Sequence, residues 1–256
     1  MPEPVKLSKR LLSVAEMVSA GSIACDVGCD HGFVSIYLIE QQICRKVIAM
    51  DVRKGPLSAA GMHIAQRGLF GYIETRLSDG MAQLSLGEAD TLICAGMGGR
   101  LMIKILTADQ EKADAMREVI LQPQSEIEKL RLFLKENKYW IADEDMVFED
   151  GKYYPVIRAV PAKAAGDPAQ YKTPLRNKVL PELLDEYGEI LLWKKHPLLL
   201  RLLQFEYDNL HTIVKQMEVP DHKNDRIRKR CDQLRIKLQN IHDLMTQIYG
   251  IEPGTM

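Results

Sequence analysis

Between residues 21 and 160, short and almost wholly apolar runs alternate with longer stretches whose apolar positions recur every three or four residues. SIACDV (22–27), KVIAMDV (46–52) and ADTLICAGMGG (89–99) predict strands buried on both faces. YIETRLSDG (72–80) reads as a strand ending in a turn, and REVILQPQ (117–124) as one ending at a proline. Helical spacing predicts helices over FVSIYLIEQQ (33–42), KGPLSAAGMHIAQRG (54–68, with Pro56 near its first turn), RLMIKILTADQ (100–110) and SEIEKLRLFLKENK (125–138). Ser125 followed by Glu128 reads as a capping box. A further helix, LSKRLLSVAEMVSAG (7–21), precedes the first strand, with Gly21 as its closing signal. WIADEDMVFEDGKYYPVIRAV (140–160) predicts two strands hinged at EDG. Strand and helix thus alternate five times and close with a hairpin. The expected fold is α/β, a Rossmann-like parallel sheet covered on both faces, with a terminal antiparallel hairpin.

PAKAAGDPAQ (161–170) is rich in Pro, Ala and Gly and reads as a linker, so the expected domains are 1–160 and 161–256. Beyond it the pattern becomes wholly helical. Leu199, Leu203, Leu210, Ile213 and Met217 form one heptad seam. Ile227, Cys231, Leu234, Leu238, Ile241, Met245 and Ile248 form another. With the turn-rich EVPDHKND (218–225) between them, they predict an antiparallel C-terminal coiled-coil hairpin. Lys223, Arg226, Arg228, Lys229, Arg230, Arg235 and Lys237 crowd the turn and the start of its second helix. This cluster is either a solvated helix face or a surface for a phosphate backbone.

Composition narrows the classes. The chain has 256 residues, 46% of them hydrophobic and 27% charged, which suits a packed core and argues against disorder. The net charge is -1, but residues 1–160 carry 19 Lys and Arg against 22 Asp and Glu, whereas 161–256 carry 15 against 13. No general attraction to nucleic acid or membrane follows; any such affinity must be local. Five scattered cysteines without a CxxC pair suggest neither zinc nor a disulfide frame. No apolar run approaches a membrane span and no signal-peptide pattern opens the chain, so a reducing cytoplasm is the expected setting.

In an open parallel sheet, ligands bind at the carboxyl ends of the strands. Five unusual loops fall there: GCDHG (28–32), DVRKGP (51–56), SDG (78–80), AGMGG (95–99) and QPQ (122–124). Gly28 and Gly32 suit a strand-to-helix turn that holds a nucleotide-type cofactor. Asp26, just before Gly28, would repel a pyrophosphate but suits a cofactor with a cationic end, such as the ammonium of S-adenosylmethionine. Asp51 can accept hydrogen bonds from both ribose hydroxyls, and NAD sites use the same device. Asp79 can accept from an adenine amino group while Gly80 lets the backbone approach. Val52, His31, Gly96 and Met97 complete the expected cofactor site, Met97 by packing. Asp26 can also be a buried acid bonded to backbone N–H groups, and His31 is more often a hydrogen-bonded structural residue than a catalyst. An antiparallel last strand favours the methyltransferase version of the fold over the NAD version.

LSKRL, DVGCDHGF, KGPLSAA, SDGM, AGMGGRLMIKIL, ILQPQ and EDGKYYPVIRA fall in order across residues 7–159. Together they resemble the bacterial tRNA (adenine-22)-N1-methyltransferase family, as does the helical hairpin after the linker. The resemblance implies a class I methyltransferase sheet, S-adenosylmethionine as donor and N1 of an adenine in the tRNA D-arm region as acceptor. The family more often has an Ile-Gly-Ser start and Ala-Tyr where this chain has VGCDHGF, and Glu where it has Asp51. Amino-group methyltransferases place an Asn/Asp-Pro-Pro-aromatic loop where this chain has AGMGG, which has no acid or amide to hold an exocyclic amine. A ring nitrogen with its own lone pair needs no such clamp. N1 methylation leaves a cation on the base, so a nearby carboxylate can assist, and Asp30 is the candidate. Arg10, with Lys9 beside it, can hold a phosphate or close over the cofactor, or both can be exposed helix charges. Three other readings stay open: a small-molecule methyltransferase with a dimerising hairpin, a nucleotide-binding scaffold, and an NAD-dependent oxidoreductase. A monomer and a weak dimer are both compatible with the sequence.

Overall fold

The strands are β1 (Ser22–Val27), β2 (Cys44–Asp51), β3 (Ile73–Leu77), β4 (Thr91–Met97), β5 (Glu118–Pro123), β6 (Tyr139–Glu149) and β7 (Lys152–Pro161). In this computed structural model, which describes residues 4–217 and 225–253, they form one sheet in the order β3-β2-β1-β4-β5-β7-β6. β3, β2, β1, β4 and β5 run parallel, and β7 is antiparallel to both β5 and β6. The turn joining β6 to β7 has only two residues, Asp150 and Gly151, both at positive φ (48° and 76°). This is the backbone that a tight hairpin requires. The chain divides into two compact units, Met1–Lys172 and Thr173–Met256.

The apolar strands alternate between two cores, which is why they read as continuous hydrophobic runs. Cys25, Val27, Ile48, Met50, Leu92 and Cys94 face α4 (Gly99–Ala108), α5 (Gln110–Asp114) and α6 (Ile127–Glu136). Ala24, Val47, Ala49 and Ile93 face α1 (Lys9–Glu16), α2 (Phe33–Glu40) and α3 (Lys54–Gln66). All five cysteines are buried and unbonded, and burial raises the thiol pKa values of Cys25, Cys29, Cys44 and Cys94, that of Cys44 to about 12. They act as small packing residues.

Several local expectations are corrected. α1 is capped at Met17, and Gly21 (φ 77°) instead donates its N–H to the Ile43 carbonyl at 2.8 Å, steering the chain into β1. No helix joins β3 to β4. That connection is a series of turns in which Met81 and Leu84 are buried and Leu86 is exposed. The capping box at Ser125 does not form, because Glu126 takes a left-handed conformation (φ 56°) at the start of α6 and no side chain caps it. The Ser125 carbonyl accepts from Gly99 N–H at 2.9 Å, tying the start of α4 to this turn. The stretch 161–170 is packed rather than a free linker. Ala162 N–H donates to the Lys138 carbonyl at 2.9 Å and Ala165 is buried, so this segment belongs to the first unit.

The second unit contains α7 (Pro181–Tyr187), α8 (Glu189–Trp193), α9 (Pro197–Met217) and α10 (Asp225–Leu244), followed by a π-turn, Met245–Tyr249. α9 and α10 are antiparallel. Tyr249 Oη donates to the His196 carbonyl at 3.3 Å, the rings of Tyr207 and His242 lie 6.5 Å apart, and Lys237 reaches Glu206 at 3.7 Å. Of the predicted seams, Leu199, Leu203, Cys231, Leu234, Ile241, Met245 and Ile248 are buried, Leu210, Met217 and Leu238 are half-buried, and the side chain of Ile227 lies outside the described ones. Ile213 is 43% exposed, and Val214 turns inward in its place, four residues after Leu210.

Candidate active site

The turn after β1 is built by its glycines and by two carboxylates. Gly28 (φ 75°) and Cys29 both donate N–H to the Met50 carbonyl, at 2.8 and 2.9 Å, so the turn is clamped over the end of β2. A Cβ on Gly28 would lie 2.2 Å from the Met97 methyl, which keeps this position open to glycine alone unless Met97 moves. Asp30 adopts φ 51°, a conformation Asp tolerates, and its N–H donates to Asp51 Oδ2 at 3.2 Å. Arg53 N–H donates to the other oxygen, Oδ1, at 2.8 Å. Asp51 is therefore fixed by two backbone donors at the tip of β2, with 4% of its surface exposed. Gly32 (φ 74°) is a packing position. Its Cα faces α3, where an added Cβ would meet that of Ala60 at 3.1 Å.

Asp26 points to the same side from β1 and is only 3% exposed. Loss of water raises its pKa to about 6. The hydrogen bond from Ser35 Oγ, at 2.6 Å, opposes that rise, and the charge of Asp51 adds to it. Such a carboxylate gains most from a cationic partner.

The other wall is the end of β4. The register against β5 slips between Ala95 and Met97, which frees the Gly96 N–H (φ 74°) to donate to Gln122 Oε1 at 3.1 Å. Gln122 is wholly buried, and the same oxygen accepts from Arg10 Nη1 at 2.7 Å. Arg10 is further held by Glu149 at 3.7 Å and lies over the Tyr154 ring, 5.4 Å from its centre. Lys9 contributes only its backbone here, donating N–H to Glu149. Gly99 has no room for a side chain, since a Cβ would lie 2.7 Å from the Glu126 carbonyl.

These walls enclose a cavity of about 440 Å³. It brings together Asp26, Gly28, Asp30 and His31 from the first turn, Asp51 and Val52 from the second, and Asp79 and Gly80 from the third. Gly96 and Met97 close it from β4, and Arg10 from α1. Of the residues expected from the sequence to meet a cofactor or take part in chemistry, Gly32 and Lys9 stay outside. The Asp30 carboxylate is turned toward Arg53 (3.4 Å) and His31 (3.8 Å) at the exposed rim. Sequence reasoning missed Ser35, which holds Asp26 from the first helix after the turn. It also missed Gln122 and Gln124, although QPQ stood out as a strand-end loop. The donor set fits a nucleoside with a cationic group. Asp51 can take a ribose and Asp26 a positive charge, whereas a pyrophosphate would meet two buried carboxylates.

On α10, Arg226, Arg228, Lys229 and Arg230 are exposed, and three of them border a shallow recess with Gln233. Arg235 pairs with Asp232 at 3.5 Å, and Lys237 is drawn to Glu186 at 2.7 Å. Lys223 lies outside the described residues.

Comparison with known proteins agrees with this geometry. The tRNA (adenine(22)-N(1))-methyltransferase of Bacillus subtilis is 36% identical over 155 residues, which are 60% of this chain and 65% of that protein. The crystal structure of the B. subtilis M1A22 tRNA methyltransferase TrmK matches 94% of this chain and 99% of its own, at TM-score 0.78 and 27% identity. A Streptococcus pneumoniae protein solved in complex with S-adenosyl-L-methionine matches 94% of this chain and 100% of its own, at TM-score 0.76 and 28% identity. A family model described as a methyltransferase domain matches residues 7–157, the stretch that builds the sheet and its cavity, and the chain belongs to that family.

Proposed function

We propose that this protein transfers a methyl group from S-adenosylmethionine to N1 of adenine 22 in tRNA. The observation that carries the reading is a single cavity in which Asp26 and Asp51 are buried on one side and a glycine-rich β4 rim lies on the other. The relatives named above supply the donor and the acceptor nucleotide.

S-adenosylmethionine supplies an electrophilic methyl group on a sulfonium centre. Asp51, fixed through both oxygens, accepts from the ribose hydroxyls, and Asp26 meets the ammonium. Asp79 and Gly80 border the adenine end. Met97 lies against Gly28 in the cavity wall and packs against the donor or its entrance. The acceptor nitrogen attacks with its own lone pair, so the protein's work is mostly alignment and exclusion of water. Asp30 lines the same cavity, and its negative charge favours the cation that methylation leaves on the ring. Arg10, held by Gln122, Glu149 and Tyr154, is a preorganised cation for the incoming nucleotide. An adenine inside folded tRNA has to leave its stack to reach such a cavity. Arg226, Arg228, Lys229 and Arg230 grip the backbone while it does so. A reducing cytoplasm, which keeps the buried thiols unbonded, is part of the same reading.

The test is methyl transfer from labelled S-adenosylmethionine to unmodified bulk tRNA, followed by nucleoside analysis. 1-Methyladenosine mapping to position 22 is the expected product. A different nucleoside, or no transfer by a protein that still binds the donor, would refute the assignment.

A further inference from the structure

The AGMGG rim carries no side chain able to recognise an exocyclic amine, yet the fold brings one to it from the next strand. Gln124 follows β5, and its backbone N–H donates to the Met97 carbonyl at 2.8 Å, which anchors it across the cavity wall. Its side-chain amide nitrogen lies 3.7 Å from where a Cβ on Gly96 would stand, and the side chain borders the cavity. Gln124 is exposed, and among the described residues no hydrogen bond engages its side-chain amide. The other polar side chains of the cavity have partners, the wrong polarity or a place away from the β4 rim, His31 lying beside Asp30 at 3.8 Å in the turn after β1. Arg10 can only donate and is held by Gln122. Asp26 accepts from Ser35, Asp51 from two backbone N–H groups, and Asp30 pairs with Arg53. Ser78 donates to the Gly80 carbonyl, and Asp79 stands at the end of β3, separated from β4 by β2 and β1. Gln124 is therefore the uncommitted side-chain amide at the β4 rim, and a turn of that amide about its last bond offers its carbonyl oxygen as an acceptor there.

An adenine presented with N1 toward the donor methyl places its 6-amino group beside the reacting nitrogen. That group is a donor, and only an acceptor can recognise it without competing for the N1 lone pair. We infer that Gln124 is a specificity residue whose side-chain carbonyl accepts a hydrogen bond from the 6-amino group of the target base, so that adenine is favoured over purines lacking the amine. This rests on the reading of the protein as a tRNA adenine N1-methyltransferase. It gives the residue that follows β5 a recognition task that the AGMGG rim cannot perform.

The experiment is a chemical cycle. Two tRNAs are prepared, one with adenine and one with unsubstituted purine at position 22, and kcat/KM for methyl transfer is measured for the wild type, Gln124→Ala and Gln124→Glu. The difference in intrinsic reactivity between the two bases is common to all three enzymes and cancels in the comparison. Loss of one hydrogen bond between neutral groups is expected to reduce the adenine-over-purine preference about fivefold to tenfold in Gln124→Ala. Gln124→Glu keeps an acceptor and should retain the preference. Calorimetric affinity for S-adenosylhomocysteine should not change in either variant, which shows that the fold and the donor site survive. A preference in Gln124→Ala within twofold of wild type overturns the inference, as does a loss in Gln124→Glu equal to that in Gln124→Ala. A wild type that leaves the adenine tRNA unmethylated would instead remove the functional reading itself.

Discussion

Replacing Asp26 by Asn separates what this carboxylate costs the fold from what it does for the ligand. Asp26 is buried, and its pKa rises from 3.8 to about 6. Carrying the charge inside at neutral pH therefore costs about 3 kcal/mol, at roughly 1.4 kcal/mol per pKa unit. The sign follows from the proton balance. Between about pH 4 and pH 6 the folded protein holds a proton at Asp26 that the unfolded chain has released, so the contribution of this group to stability falls as pH rises through that window. Asn has no charge to bury and still offers an oxygen to Ser35 Oγ. Allowing about 1 kcal/mol for a weakened hydrogen bond, Asp26→Asn should be more stable than wild type by about 1–2 kcal/mol at pH 7. The advantage should shrink toward zero near pH 4. Urea unfolding of both proteins at half-unit steps from pH 4 to pH 8 measures the difference directly. The same substitution removes the partner of a cationic ligand, so affinity for S-adenosylhomocysteine should drop at least tenfold at pH 7. Wild-type affinity should also weaken below about pH 6, and the variant should lack that dependence. A variant less stable than wild type at pH 7, or a stability difference that does not change with pH, would refute the burial argument.

Asp51→Ala removes the acceptor fixed by Asp30 and Arg53 N–H groups and leaves both donors without it. We expect S-adenosylhomocysteine affinity to fall about 10²-fold by calorimetry, as for loss of more than one hydrogen bond to a charged group; a change under threefold would count against the ribose role. Neutralising Arg226, Arg228, Lys229 and Arg230 together should weaken tRNA binding in gel shifts at fixed salt and lower its salt dependence, with donor affinity unchanged. Unaltered tRNA affinity would move the nucleic-acid surface elsewhere.

Features that a single period or a single turn determines were legible in the sequence. The doubly buried strands announced themselves as unbroken apolar runs, and EDG as a two-residue hairpin. Asp26, Asp51 and the glycines were legible because a strand end followed by a turn constrains which residue types can stand there. What escaped depends on register and on neighbours distant in the chain. Gln124 reaches Gly96 only because the β4–β5 register slips at the rim, and no local pattern encodes that slip. Ser35 meets Asp26 through the angle at which the helix leaves the turn. The Ser125 capping signal was overridden by tertiary contact, since the Ser125 carbonyl is taken by Gly99 from another helix. Val214 displaced Ile213 from the seam because the heptad can continue by either three or four residues after Leu210, and packing chose between them.

The terminal hairpin also sets an order of events for a chain leaving the ribosome. β5 pairs β4 on one side and β7 on the other, and β7 is the last strand to be made. Until residue 161 has emerged, the growing sheet ends in Val119, Ile120 and Leu121, side chains buried in the finished protein, with one row of backbone donors and acceptors open. Such an edge invites pairing with another nascent chain. The two-residue turn at Asp150 and Gly151 lets the closing hairpin form locally, on a microsecond scale, far faster than synthesis adds residues. The exposed edge thus lasts only as long as translation takes to deliver the hairpin. Chains terminated between the end of β5 and the end of β7 should be the aggregation-prone products of this gene.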